Sequence, residues 1–161
     1  MNKVREVMSK VQQLVENHQK LEKWFGVWPS FHDAEVIELI YWRGDVKPGD
    51  WDDSNVFPTL TVKLRLLQAT QPGAPVTKPD ILTTLRFHDV DDFKMDGFNH
   101  VNEIVELSVR SEERGTFTNG EKLPPYLVVS FERGFGMTAS FRCFRIEILD
   151  AVPYGTASTS P

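Results

Sequence analysis

The sequence is poor in cysteine and in long apolar runs. Cys143 is the one cysteine among 161 residues, so the chain cannot form an internal disulfide framework. No stretch approaches the ~20 consecutive apolar residues that a membrane-spanning helix requires. The first residues, MNKVREVMSKVQQ, are charged and lack the apolar centre of a signal peptide. These absences predict a cytoplasmic protein that does not enter a membrane.

A basic excess is also missing. The 23 acidic side chains outnumber the 18 basic ones, which gives a formal net charge of -5. Binding along a phosphate backbone depends on clustered Lys and Arg, so the composition argues against nucleic acid as a partner. A negative surface suits a basic protein partner better. The length and the hydrophobic content of 40% fit one domain with its own core.

A helix is predicted over about residues 2–25. Apolar positions recur there at alternating spacings of three and four, which is the period of one helix face, and Gly26 follows as a stop signal. The same spacing would suit a homodimer formed through this helix. It lasts barely three heptads, so packing of one helix on a sheet is the preferred interpretation. The positions concerned are Val4, Val7, Val11, Leu14, His18, Leu21 and Phe25.

After Pro29 the apolar period changes to two, as expected of half-buried strands. The clearest example is 59–66, and further strands are predicted at 34–42, 81–87, 103–110, 126–132 and 138–149, the last with a change of buried face from Cys143 to Phe144. The fold is therefore predicted to be α+β, with the N-terminal amphipathic helix packed on a curled, mainly antiparallel sheet of six or more strands, barrel-like or a sandwich. This single domain is expected to span residues 1–153, and residues 154–161 are expected to form a disordered polar tail.

The triplet Phe-His-Asp occurs twice, ending at Asp33 and at Asp89. A metal-assisted hydrolase would need His32 and His88 to meet in space, with His100 as a further candidate ligand. Both pairs lie at predicted strand ends, where neighbouring side chains point to opposite faces, so one pair cannot easily hold an ion by itself. A structural role in turns is the preferred interpretation.

Other chemical signatures are weak, and none predicts a catalytic residue, a metal ligand or a cofactor. The acidic run after Asp50 lacks the glycine and the closing glutamate of an EF-hand. Cys143 lies in an apolar strand pattern, which favours a buried thiol over a nucleophile. The stretch RGFGM precedes a strand, so it indicates a hairpin turn. A carrier with an apolar pocket lined by the 11 Phe residues remains an alternative.

Four segments in a fixed order carry a family resemblance: WPSFHDAEV, LRFHDV, GFNHVNEI and SFRCFRIEIL. Together they resemble the immunity protein 50 family of bacterial polymorphic toxin systems, from about Leu21 to Val152. The resemblance implies a non-enzymatic protein that binds and neutralises a cognate toxin, and it transfers no catalytic residue. The matching residues, which we interpret as defining the scaffold, are Trp28, Pro29, Phe31, His32, Asp33, Phe87, His88, Asp89, Phe98, Asn99 and Asn102.

The acidic loop after the first strand is a candidate for the toxin contact, and the equally weighted alternative is a solvated loop whose Trp51 packs back onto the sheet. Trp51 stands at the centre of this loop, and an aromatic side chain ringed by charge is a common anchor in protein interfaces. A basic nuclease would be complementary to such a surface. The residues of the predicted contact are Asp45, Asp50, Trp51, Asp52 and Asp53.

Overall fold

The computed structural model describes residues 11–45, 57–68 and 78–155, and most of this part of the chain is β-sheet. Its one complete described helix is a two-turn segment near the N-terminus. In chain order the elements are β1 (Val15–Glu16), α1 (Gln19–Phe25), β2 (Ala34–Trp42), β3 (Thr59–Leu66), β4 (Ile81–His88), β5 (Asp91–Asp96), β6 (Glu103–Glu112), β7 (Tyr126–Phe135), β8 (Thr138–Cys143) and β9 (Arg145–Pro153).

The described strands form one open sheet in the order β1-β9-β4-β3-β2-β6-β7-β8-β5. Neighbouring strands are antiparallel, except that β1 runs parallel to β9. The prediction of a sheet of six or more strands is therefore confirmed, and its antiparallel pairing holds for the neighbouring strands other than β1 and β9. The barrel-like alternative is wrong, because β1 and β5 are separate ends of the sheet.

The core lies between the two halves of this sheet. Residues of β3 and β4 alternate between buried and half-buried positions, as the period of two predicts. Phe87 on β4 meets Phe131 on β7 and Phe141 on β8, with ring centroids 6.2 and 4.9 Å apart. Because β4 is far from β7 and β8 in the strand order, these contacts require the sheet to curl over its own core.

The predicted continuous helix over residues 2–25 is wrong within the described residues. Helical residues 11–12 are followed by turns and by β1, whose Val15 is buried and pairs with Ile146. Asn17 then adopts a left-handed φ of 59°, which ends any helical run and which Asn tolerates better than most residues. Helix α1 starts after this break, and residues 1–10 lie outside the described part of the chain.

The predicted change of face at Cys143 marks a change of strand. Strand β8 ends at Cys143 and pairs with β5 and β7, whereas β9 begins at Arg145 and pairs with β4 and β1. Phe144 lies between them, and its N–H donates to the His88 carbonyl at 3.1 Å. The chain thus passes from one half of the sheet to the other at this step.

The start of the predicted tail is bound to the sheet. The Tyr154 N–H donates to the Asp80 carbonyl at 2.8 Å, and the Arg65 guanidinium lies 5.4 Å from the Tyr154 ring centroid. The rest of the tail from Thr156 onward is outside the described residues. Within the described part of the chain, no helix is both long and apolar enough to cross a membrane.

Candidate protein-binding site

The two His-Asp pairs form left-handed turns at the starts of strands. Asp33 has φ 63° and directly precedes β2, and Asp89 has φ 58° and is separated from β5 by one residue. The Asp33 N–H donates to the Ile104 carbonyl at 3.0 Å, and the Val90 N–H donates to the Pro58 carbonyl at 2.9 Å. The repeated triplet therefore recurs with a repeated backbone conformation, which a short polar residue can adopt at moderate cost.

The two histidines lie far from each other. His88 is opposite Thr59 on β3, whereas His32 precedes Glu35, which is opposite Arg65 at the other end of β3. At ~3.4 Å per residue, the six positions between Thr59 and Arg65 correspond to roughly 20 Å. One metal ion cannot bridge that distance, so the hydrolase site built on both histidines is not formed.

Each histidine has its own carboxylate partner. His32 Nδ1 lies 2.9 Å from an Asp33 oxygen, and His88 Nε2 lies 3.0 Å from Glu147 Oε2, which also accepts from Arg145. His100, the third candidate ligand, is exposed in the segment before β6. Within the ranges that the structure describes, no group of three or more His, Cys, Asp and Glu side chains is arranged to hold a metal ion.

The aromatic residues predicted to define the scaffold belong to the core. Trp28 and Phe31 are both buried, with ring centroids 5.5 Å apart, and Pro29 between them is buried as well. The Phe87, Phe131 and Phe141 rings contact one another, so they fill the region where the carrier hypothesis would place an apolar ligand. Phe98, in contrast, is exposed.

The buried amide of Asn102 organises the segment that leads into β6. Its Oδ1 accepts the Asn99 N–H at 2.8 Å, and its Nδ2 donates to the Asn99 carbonyl at 2.7 Å and to the Val36 carbonyl at 3.4 Å. The Val36 N–H donates in return to the Asn102 carbonyl at 2.8 Å. Since Asn102 is only 3% exposed, this amide fixes the loop to β2 from inside the protein.

Two glycines allow the β7–β8 turn to approach the same segment. A Cβ at Gly136, which has φ 83°, would collide with the Val101 carbonyl oxygen and lie 2.9 Å from Asn102 Oδ1. A Cβ at Gly97, with φ 75°, would lie 2.6 Å from the Gly136 carbonyl oxygen. The loop before β6 is therefore packed against backbone on one side and held by Asn102 on the other.

These constraints shape a hollow at the corner where β2 meets β6. Strands β2 and β6 are paired only at Ala34–Ile104 and Glu35–Glu103, and they diverge beyond this point. The hollow has a volume of about 280 Å³ and is open to solvent. We call it the corner hollow; its lining residues are Asp33, Glu35, Arg65, Leu67, Val101 and Glu103.

The corner hollow is electrostatically negative. Arg65 is engaged by Asp80 at 2.9 Å and by Glu35 at 3.5 Å, and the hydrogen bond to Asp80 raises the pKa of its guanidinium above the ordinary value. The carboxylates of Asp33, Glu35, Asp80 and Glu103 thus face the one guanidinium of Arg65, an excess of three negative charges among these five groups. Glu103 has no ion-pair partner among the described residues.

Exposed apolar side chains adjoin the carboxylates. Leu67 lines the hollow and is 44% exposed, while Phe135 lies opposite Glu103 in the β6–β7 register and is 57% exposed. Val105 is also exposed, and a Cβ at Gly134 would lie 3.3 Å from its Cγ2 and 3.4 Å from Glu103 Oε1. We call the hollow together with Leu67, Val105 and Phe135 the corner surface.

The sequence did not identify this corner. Its signature segments did point to the region, because Asp33 lines the hollow and Asn99 and Asn102 hold the loop behind Val101. Glu35, Arg65 and Glu103 were missed, since each looks like an ordinary outward-facing strand residue. Their proximity depends on the pairing of β2 with β3 and β6, which a single sequence does not specify.

Of the residues predicted as the toxin contact in the acidic loop, only Asp45 belongs to the described residues. Asp45 is exposed at the end of the first described range. Asp50, Trp51, Asp52 and Asp53 lie outside the described residues.

Cys143 is buried, and its burial raises the pKa of the thiol to about 12. A thiol is therefore the dominant form at neutral pH, which does not suit a nucleophile.

Comparisons with known proteins identify a family. No curated protein and no solved structure matches the chain. A family model described as Immunity protein 50 matches residues 17–154, which include α1 and every strand from β2 to β9. Since this match covers most of the chain, the chain belongs to the immunity protein 50 family.

Proposed function

We propose that this chain is a toxin-neutralising immunity protein that acts by binding a cognate protein toxin, without catalysis. The single observation that carries the proposal is the family match over residues 17–154, because an immunity family implies a function in toxin systems. The extent of the match supports the proposal, because the matched residues include every described strand of the sheet except β1.

The described chemistry is consistent with binding as the mechanism. The candidate histidines are dispersed and paired with carboxylates, and the buried Cys143 is held as a thiol. At the corner surface, the sheet exposes charged and apolar side chains next to each other, as protein interfaces do. The cell that makes the toxin would make this protein in its cytoplasm to protect itself.

A basic nuclease is one class of toxin that would complement the acidic chain. Four of the five described positions of the predicted seam pack on the chain's own core, which argues against a homodimer through the predicted helix. Leu21 is buried, and Val11, Leu14 and Phe25 lie against the same cluster.

Co-expression tests this proposal. Each toxin domain of the same strain would be expressed in a toxin-sensitive host, with and without this chain, and growth would be recorded. We expect the chain to restore growth against one toxin and to co-purify with it. A folded, well-expressed chain that protects against none of them would overturn the proposal.

A further inference from the structure

We propose that the corner surface is the docking face for the toxin, and that the toxin presents a basic patch to it with an Arg or Lys side chain in the corner hollow. This inference rests on the proposed function and adds the surface and the chemistry of the partner. The partner is thus a cationic protein surface rather than a small molecule, a nucleic acid or a second copy of this chain.

The apolar part of the corner surface supplies the contact area. Leu67, Val105 and Phe135 are all more than two-fifths exposed. Leu67 lines the hollow together with Glu103, Phe135 is opposite Glu103 in the strand register, and Val105 and Glu103 both flank Gly134. An exposed apolar cluster bordered by polar groups is typical of a protein interaction site. Phe135 is the most exposed of the three, so we expect it to act as the anchor.

The negative charge of the corner hollow favours a basic partner. The excess of three carboxylates would repel another copy of this acidic chain and attract a basic surface. Glu103 is the carboxylate best placed to form a new ion pair, because Glu35 already contacts Arg65 and Asp33 contacts His32. A planar guanidinium can bond a carboxylate in bidentate fashion, which makes arginine the better fit.

The volume of the corner hollow suits the insertion of one side chain of the toxin. The hollow's volume of about 280 Å³ falls just below the ~300–1,000 Å³ usual for small-molecule pockets, and it is open rather than enclosed.

The site is held in shape before binding. Asn102 fixes the loop that carries Val101, and Gly97 and Gly136 allow the β7–β8 turn to pack tightly against it. Residues of the corner are therefore positioned by paired strands and by a loop that the Asn102 side chain holds through hydrogen bonds. Such preorganisation reduces the ordering cost of association.

Two variants and two matched controls test the inference. Phe135→Ala removes the anchor and Glu103→Lys reverses the central charge. Phe117→Ala and Glu121→Lys make the same changes at exposed residues in the loop between β6 and β7. This loop follows the far end of β6, which at ~3.4 Å per residue is roughly 30 Å from Glu103.

The toxin neutralised in the growth test serves as the probe, and its dissociation constant is measured by surface plasmon resonance. We expect Phe135→Ala and Glu103→Lys each to weaken binding by about 30-fold or more, as at interface hot spots. Glu103→Gln, which keeps the shape, should weaken binding less than Glu103→Lys. The controls should stay within about twofold, and thermal melting would show that every variant is folded.

Ionic strength provides the second readout. Steering by a basic patch predicts that the association rate of the wild type falls about tenfold from low to high salt, and that Glu103→Lys reduces this dependence. If the toxin is neutralised but folded corner variants bind it as tightly as the wild type, the docking face is wrong while the proposed function survives. If no toxin is neutralised, both proposals fail. Salt-independent binding, or self-association lost in Phe135→Ala, would refute the basic partner.

Discussion

Replacing Asn102 with alanine should destabilise the protein by an amount that its hydrogen bonds allow us to estimate. The amide makes three bonds, two to Asn99 and one to the Val36 carbonyl, and is 3% exposed. At a net ~1 kcal/mol per hydrogen bond, Asn102→Ala should lower the free energy of unfolding by about 3 kcal/mol. For a chain of this size, that corresponds to a melting temperature about 6–12 °C lower.

Urea unfolding followed by tryptophan fluorescence would measure this loss. Asn119→Ala is the matched control, because the Asn119 side chain accepts one N–H, that of Glu121, in an exposed turn. Its expected cost is about 1 kcal/mol or less. A loss below about 0.5 kcal/mol for Asn102→Ala would show that the amide does not hold the loop before β6, and would remove the structural basis assigned to the corner.

Three further predictions concern the turn, the thiol and the histidines. Gly136→Ala should lower the free energy of unfolding by at least about 2 kcal/mol in urea titrations, because the added Cβ meets Val101 and Asn102 and the residue has a left-handed φ. Gly120→Ala is the control, since its Cβ meets nothing within 4 Å, and an equally small loss in both variants would contradict this prediction. Cys143 should resist alkylation at pH 8 in the folded protein and react in urea, as followed by mass spectrometry. The pKa of the Cys143 thiol is raised from 9.0 to about 12, so its contribution to the free energy of unfolding is fully present below pH 9 and is lost as the pH rises towards 12. Between these pH values, the free energy of unfolding should therefore decline less in Cys143→Ala than in the wild type. His88→Ala should lower the melting temperature more than His32→Ala, because the His88 side chain is 20% exposed and shares Glu147 with Arg145, whereas that of His32 is 61% exposed; equal effects would count against this difference.

The sequence predicted much of the sheet because its strands alternate clearly. Strands β2 and β3 have the predicted bounds, and the predicted change of face at Cys143 coincides with the boundary between β8 and β9. Strand β5 was missed because Asp91–Asp96 has only two apolar residues among four charged ones. It is an end strand of the sheet, and only Phe93 among its residues is half-buried. Charged side chains suit such an end strand, but they erase the signal.

The helix was overextended for a different reason. Val11, Leu14 and Leu21 all face the core, so their spacing gave a correct inward pattern. The break at Asn17 and the insertion of Val15 beside β9 depend on tertiary contacts that the helical period does not reveal. The corner hollow was likewise beyond reach, because Glu35, Arg65 and Glu103 come together only through strand pairing.

The central claim is that neutralisation is stoichiometric binding. Isothermal titration calorimetry of this protein into its purified toxin tests it most directly, with the intact mass of the toxin measured before and after. We expect saturation near one molecule per toxin and an unchanged toxin mass. A chemically altered toxin at substoichiometric amounts of this protein, or protection of growth without any binding, would contradict it.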